Sequence, residues 1–242
     1  MTARTRFLLK HLAPALFGII GLLVWERTGL DSVVSGWFYD PGSHGFPLRE
    51  AFLLEMIGHQ LMKELVFIVV CCVIGAYALS FALPELRPQR RVLLFLSLAM
   101  TLAPLAVASL KAMSVRHCPW NLQEFGGFAP HLTLFDAAPL FHTPGHCFPG
   151  GHASAGFTLL AFYFAGRASA NRLLGLLGLW GGLAAGMIFG MARVAQGAHF
   201  VSHNLWSAVL CWLVILGVYL VVMGMPARAC NGPGFGIPGR RT

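Results

Sequence analysis

Three stretches of the chain hold cations and imidazoles at close spacing. They are Lys111-Ala-Met-Ser-Val-Arg116-His117-Cys118-Pro119-Trp120, Cys147-Phe-Pro149-Gly150-Gly151-His152, and Arg193-Val-Ala-Gln-Gly-Ala-His199-Phe-Val-Ser-His203-Asn204. Phosphoryl transfer asks for this set: cations around the non-bridging oxygens, a nucleophile in line with the leaving oxygen, and a proton donor opposite. Lys111, Arg116 and Arg193 supply the cations, with arginine suited to a planar two-pronged contact. Gly150 and Gly151 stand where backbone N–H groups at a helix start can approach an anion. His199 and His152 are imidazoles able to change charge near neutral pH, as nucleophilic and acid–base roles require.

These stretches must be brought together by apolar segments. The chain has 242 residues, 57% hydrophobic and only 11% charged, where a soluble protein averages roughly 25% charged. The composition predicts an all-α, polytopic membrane protein. Six runs have spanning length for a core of roughly 30 Å: Leu12 to Trp25, Leu61 to Leu83, Val92 to Leu110, a run starting at Ala153, Leu173 to Met191, and Leu205 to Met223. Residues 28–60 are too polar to span, and their Trp37-Phe38-Tyr39 cluster suits the interface. Residues 224–242 form a Gly/Pro-rich tail expected to be mobile. The whole chain is read as a single membrane domain, with the chemistry concentrated in about residues 90–225.

Six spans put both termini on one side. Eleven of the 17 Lys and Arg fall there and six on the other, so the positive-inside rule places the termini in the cytoplasm. All three chemical stretches then face the non-cytoplasmic side. The net charge of +8 comes from cations that punctuate apolar runs, without the basic stripe of a nucleic-acid binder. No internal repeat supports a transporter, and haem ligation needs histidines facing one another within spans rather than at their ends.

The three stretches, in this order, resemble the type 2 phosphatidic acid phosphatase superfamily of membrane lipid phosphatases. Its patterns are Lys-x6-Arg-Pro, Pro-Ser-Gly-His and Ser-Arg-x5-His-x3-Asp. Lys111 and Pro119 keep the first spacing, with Cys118 in the arginine position and Arg116 two residues earlier. Gly150 replaces the serine of the second pattern; Ala192 and His203 replace the serine and aspartate of the third. The resemblance implies that His199 attacks phosphorus to form a phosphohistidine and His152 protonates the leaving group, with no metal or other cofactor. It implies a phosphorylated lipid as substrate, as mono- or diphosphate ester, at the outer face of a bacterial inner membrane, with lipid-to-lipid phosphotransfer as an alternative. The missing aspartate leaves the group that orients His199 open among His203, Asn204, Asp136 and Glu124, and makes a weakened phospholipid-binding relative the rival reading.

Cys118 and Cys147 lie on the oxidising side, one beside each of two motifs, and are expected to form a disulfide; zinc at Cys118, Cys147 and nearby histidines would lack a compact ligand spacing. Cys71, Cys72 and Cys211 read as small packing residues, Cys230 as a reduced cytoplasmic thiol. His117, His131, His142 and His146 read as solvated loop residues, and Gly175, Gly178, Gly181, Gly182, Gly186 and Gly190 as a packing face.

Overall fold

A computed structural model describes residues 2–56, 62–137 and 143–224. The tail from 225, with Cys230, lies outside the described residues, as do His59, Leu61 and His142. Nine helices are present among the described residues: α1 Ala3–Trp25, α2 Leu30–Gly36, α3 Phe52–Glu55, α4 Met62–Leu79, α5 Arg90–Ala112, α6 Gly151–Phe157, α7 Ala161–Ala168, α8 Arg172–Ala195 and α9 Val201–Met223. A 3-10 turn at Thr158–Leu160 joins α6 to α7, so the fourth apolar run is one continuous helical rod.

Among the described residues, four stretches are long and apolar enough to cross a membrane: Arg4–Trp25, Pro84–Ala112, Arg172–Ala195 and Val201–Met223. Large apolar side chains such as Phe17, Phe67, Trp180 and Val221 point outward along the helices, the arrangement of a protein whose solvent is lipid. The chain is an all-helical integral membrane protein.

Local chemistry sets the helix ends. Thr2 caps α1 by accepting from Thr5 N–H, and Asn171 caps α8 by accepting from Leu174 N–H, satisfying first-turn donors that have no partner within the helix. The basic turn before α5 is a 3-10 segment, Pro84–Gln89. It is tied back to the end of α4 by Arg90, whose Nε donates to Ser80 Oγ at 3.1 Å.

α5 and α9 form the centre of the bundle; α6 and α7 pack against α8, α1 lies on α9, and α4 lies on α5. Phe95, Met100, Phe157, Phe164 and Ile215 fill the space between them, all essentially without exposure. The approach of the fourth rod to α8 is close enough to need glycine: a Cβ on Gly156 would sit 2.3 Å from the backbone nitrogen of Gly186. Gly181 departs from the expected packing face, since a Cβ there would meet nothing within 4 Å. Cys71 and Cys72 also depart from the packing role, being exposed on α4, whereas Cys211 is buried.

Residues 28–56 do more than rest at an interface. Phe46 joins Leu122, Phe125, Ala129 and Phe200 in a second apolar cluster with Tyr39 packed on it, so the two long loops cover one end of the bundle together. Trp37 alone of its cluster is largely exposed. Under this cover α5 and α8 end, and α6 and α9 begin.

The close approach yields a stability prediction. Gly156→Ala should lower the thermal unfolding midpoint in detergent, by the equivalent of about 1–3 kcal/mol for overpacking. Gly181→Ala should stay within about 0.5 kcal/mol of wild type.

Candidate active site

Lys111 arrives on the last turn of α5 and lies over the start of α6, its Nζ 3.7 Å from where a Cβ on Gly151 would be. His152 occupies the first turn of α6, and its ring centroid is 6.1 Å from that of His199. His199 sits in the short link between α8 and α9 and is 2% exposed. Lys111, His152, Arg193, His199 and Gly151 therefore form one cluster, assembled from three separate helix ends.

Burial is the main force on His199 and pulls its pKa well below the ordinary 6.5; the Lys111, His152 and Arg193 charges add to this, and the backbone of Cys147 opposes it. The imidazole is neutral at neutral pH, as a nucleophile must be. Its Nδ1 lies 3.5 Å from Cys147 Sγ, which leaves Nε2 as the edge turned away from that segment.

Arg193 is held on one side only. Its Nη1 donates to Gln196 Oε1 at 2.8 Å and pairs with Glu55 at 3.4 Å. Its Nε is buried without a hydrogen-bond acceptor among the described residues. A desolvated guanidinium donor left unmatched is expensive, and an anion would satisfy it.

Arg116 is placed differently from the expectation that it cradles phosphate. Its Nη1 and Nη2 donate to the two carboxylate oxygens of Glu26 at 3.0 and 3.1 Å, with both side chains buried. The guanidinium also lies 4.7 Å over the Phe148 ring. Its Nε, like that of Arg193, is buried without a hydrogen-bond partner among the described residues. Arg116 thus pins the loop after α5 to the end of α1. Gly150 departs too: its N–H donates to the His203 carbonyl at 2.9 Å, so Gly151 is the glycine whose N–H stays in the open first turn.

The candidates for orienting His199 are also resolved in space. Asp136 accepts from Thr133 N–H and Oγ1, and Glu124 pairs with His131 at 2.9 Å and accepts from Ser32; neither hydrogen-bonds to His199. Among the described residues the two nitrogens of His203 have no hydrogen-bond partner, and its ring packs edge-on, 5.8 Å from His199. Asn204 Nδ2 donates to the Gly190 and Phe200 carbonyls. A Cβ on Gly150 would be 2.3 Å from Asn204 Oδ1, and one on Gly190 would be 2.7 Å from Asn204 Cγ. Asn204 therefore fills a slot that exists because both flanking residues are glycine.

Cys118 and Cys147 are joined as a disulfide, with Cα atoms 5.2 Å apart. Backbone bonds from Gly145 N–H to Val115, His146 N–H to Ser114, and Cys147 N–H to Arg116 reinforce the same pairing. The two sulfurs and His199 lie within 4.8 Å of one another, but a disulfide sulfur carries no thiolate charge with which to hold a metal. His117 is buried, its Nε2 2.8 Å from the Thr143 carbonyl, and His131 is paired, so neither is simply solvated; His146 is exposed.

Sequence reasoning passed over Glu26, Asp31, Glu55 and Gln196. Asp31 accepts from Ser202 N–H at 3.0 Å and from Trp25 Nε1 at 3.1 Å, fixing the start of α9. The available signal was that buried acids are rare in an apolar chain and need a partner; nothing in the spacing named which.

A family model described as the PAP2 superfamily matches residues 92–225. The chain belongs to the PAP2 superfamily. The matched region runs from α5 through α9 and contains all three chemical stretches, while α1 to α4 precede it. A search of curated proteins and a search of solved structures returned no match. Members of the PAP2 superfamily are generally phosphatases, and membership points to phosphatase-type activity on phosphate esters.

The Arg116–Glu26 pair gives a sharp expectation. Glu26→Ala leaves a buried guanidinium unpaired and should cost about 3–5 kcal/mol of stability in a denaturant titration in detergent. Glu26→Leu with Arg116→Leu should recover most of that loss.

Proposed function

We propose that this PAP2 protein is a six-span lipid phosphatase acting through a phosphohistidine on His199, at the membrane face opposite its termini. The observation that carries the reading is the buried imidazole of His199 placed beside His152 and within reach of the Lys111 and Arg193 charges. The two further spans are α4 and the α6–α7 rod, 18 residues each.

Lys111, the unmatched Nε edge of Arg193 and the Gly151 N–H bind the non-bridging oxygens. His199 Nε2 attacks phosphorus as the bond to the leaving oxygen breaks, and His152 donates its proton to that oxygen. His152, now neutral, takes a proton from water. The resulting hydroxide attacks the phosphohistidine, releasing inorganic phosphate and restoring both imidazoles. The substrate is a phosphate mono- or diphosphate ester of a lipid, since the cluster lies at the ends of apolar helices.

Phosphate release from a panel of lipid phosphates in detergent tests this. His199→Ala should lose activity by at least about a thousandfold, as removal of a covalent nucleophile does; activity that persists in that variant sinks the assignment. His152→Gln should lose about 100- to 10,000-fold, the range for general acid–base catalysis.

The pH profile follows from the direction of the His199 shift. Because its pKa lies below 6.5, the neutral nucleophile persists under mildly acidic conditions, and the acid limb of kcat/KM should fall below pH 6.5. Lys111→Met removes a positive neighbour, raises the His199 pKa and should move that limb upward.

A weakened, phospholipid-binding relative is the second reading, favoured by the absence of a carboxylate hydrogen-bonded to His199 among the described residues. A gain of tenfold or more in His203→Asp would show that the native arrangement holds its nucleophile poorly.

A further inference from the structure

The end of the bundle away from His199 carries a second concentration of positive charge. Lys10, Arg167 and Arg172 share the wall of a surface cavity of about 370 Å³. Directly adjoining it is an apolar slot of about 360 Å³ between α1, the α6–α7 rod, α8 and α9, lined by Leu160, Leu179, Leu183 and Trp212 among others. Lys10 and Tyr163 belong to both cavities. Arg172 and Arg193 are 21 residues apart on α8, about 30 Å at 1.5 Å per residue, so this is not the phosphatase cluster.

Two other basic side chains at this end, Arg90 and Arg91, are occupied. Arg90 bonds to Ser80 and lies over Phe81, and Arg91 donates to the Val222 carbonyl at 2.7 Å. Lys10, Arg167 and Arg172 have no carboxylate within ion-pair distance among the described residues, in contrast to Arg116 and Arg193, and no acidic residue lines their cavity. Three like charges around one hollow repel one another unless an anion sits between them. Arg167 is held in place over the rings of Phe7 and Tyr163.

The slot beneath is dry by construction. Apart from the Lys10 amine at its mouth, the polar side chains bordering it are satisfied within the protein: His11 Nδ1 lies 2.7 Å from the Phe7 carbonyl, His11 Nε2 lies 3.1 Å from Tyr163 Oη, and Trp212 Nε1 donates to the His11 carbonyl. Nothing there calls for water, and the apolar walls suit a hydrocarbon chain. A charged mouth joined to a dry apolar slot at the border of a membrane fits one kind of molecule.

We propose that this groove binds an anionic phospholipid, its phosphate on Lys10, Arg167 and Arg172 and one acyl chain in the slot beside Trp212. Free phosphate matches the mouth but leaves the slot unused, so the lipid is the occupant. The site is independent of the hydrolytic cluster and does not rely on its assignment.

The test uses the full chain in phosphatidylcholine nanodiscs carrying a few per cent of phosphatidylglycerol with a diazirine in mid-chain. Irradiation and peptide mapping should place adducts on the segments holding Leu179, Leu183 and Trp212. A phosphatidylcholine probe with the same diazirine should label them several-fold less. Lys10→Gln, Arg167→Gln and Arg172→Gln together should cut the phosphatidylglycerol adducts about tenfold or more, since each basic side chain near a membrane surface adds measurably to anionic-lipid binding. All three side chains are exposed, so the variant should fold, and circular dichroism checks that it does. Equal labelling by the two probes overturns the proposal without recourse to any variant, as does undiminished labelling of the triple variant. Inorganic phosphate raising the thermal midpoint in detergent as much as phosphatidylglycerol does would assign the cations to the free ion and likewise overturn it.

Discussion

The site depends on one electrostatic constraint: an imidazole removed from water among cations has to stay neutral. Charging His199 would cost its hydration and add repulsion from Lys111, Arg193 and His152 at once. That keeps a lone pair ready for an electrophile. It also means that a negatively charged ligand is the natural counterweight to the whole cluster, because the acids of the region are drawn elsewhere. Glu26 neutralises Arg116, and Asp31 holds the start of α9. Glu55 reaches only one side of Arg193.

The departures from the expected motif pattern are linked to one another physically. Where the pattern has serine, the chain has Gly150, and the volume so released is taken by Asn204 from the first turn of α9. Gly190 on α8 gives way on the other side. Asn204 then ties α9 to the Gly190 carbonyl, while Ser207 Oγ donates to the Gly150 carbonyl at 2.9 Å. Three helices are locked together where a hydroxyl would otherwise stand. Restoring serine at position 150 alone would collide with that lock, so the substitutions form a set rather than independent losses.

Much of this was legible in the sequence, and the reasons are local. The apolar runs marked the helices because backbone in lipid has few alternatives; Lys111, His152, Arg193 and His199 converged because each stood at a run's end. The Cys118–Cys147 bond was readable for the same reason, each cysteine flanking a motif. Pairings across long separations were not legible. Arg116 and Glu26 are 90 residues apart, and a cation beside a motif gives no sign of which acid will claim it. Nor did the sequence reveal that Gly150 would spend its N–H on His203, since that depends on how α9 enters. Gly181 misled because a run of glycines on one helix does not say which of them faces a neighbour.

The disulfide has a consequence for the chain's connectivity. It joins positions 29 residues apart, making the segment between them a covalent ring that contains Trp120, Leu122 and Phe125 of the loop cover. A single proteolytic cut anywhere inside that ring severs the backbone without separating the two halves. The nicked protein would still migrate as one species until a reductant is added, and α5 would keep its covalent hold on the turn that starts α6.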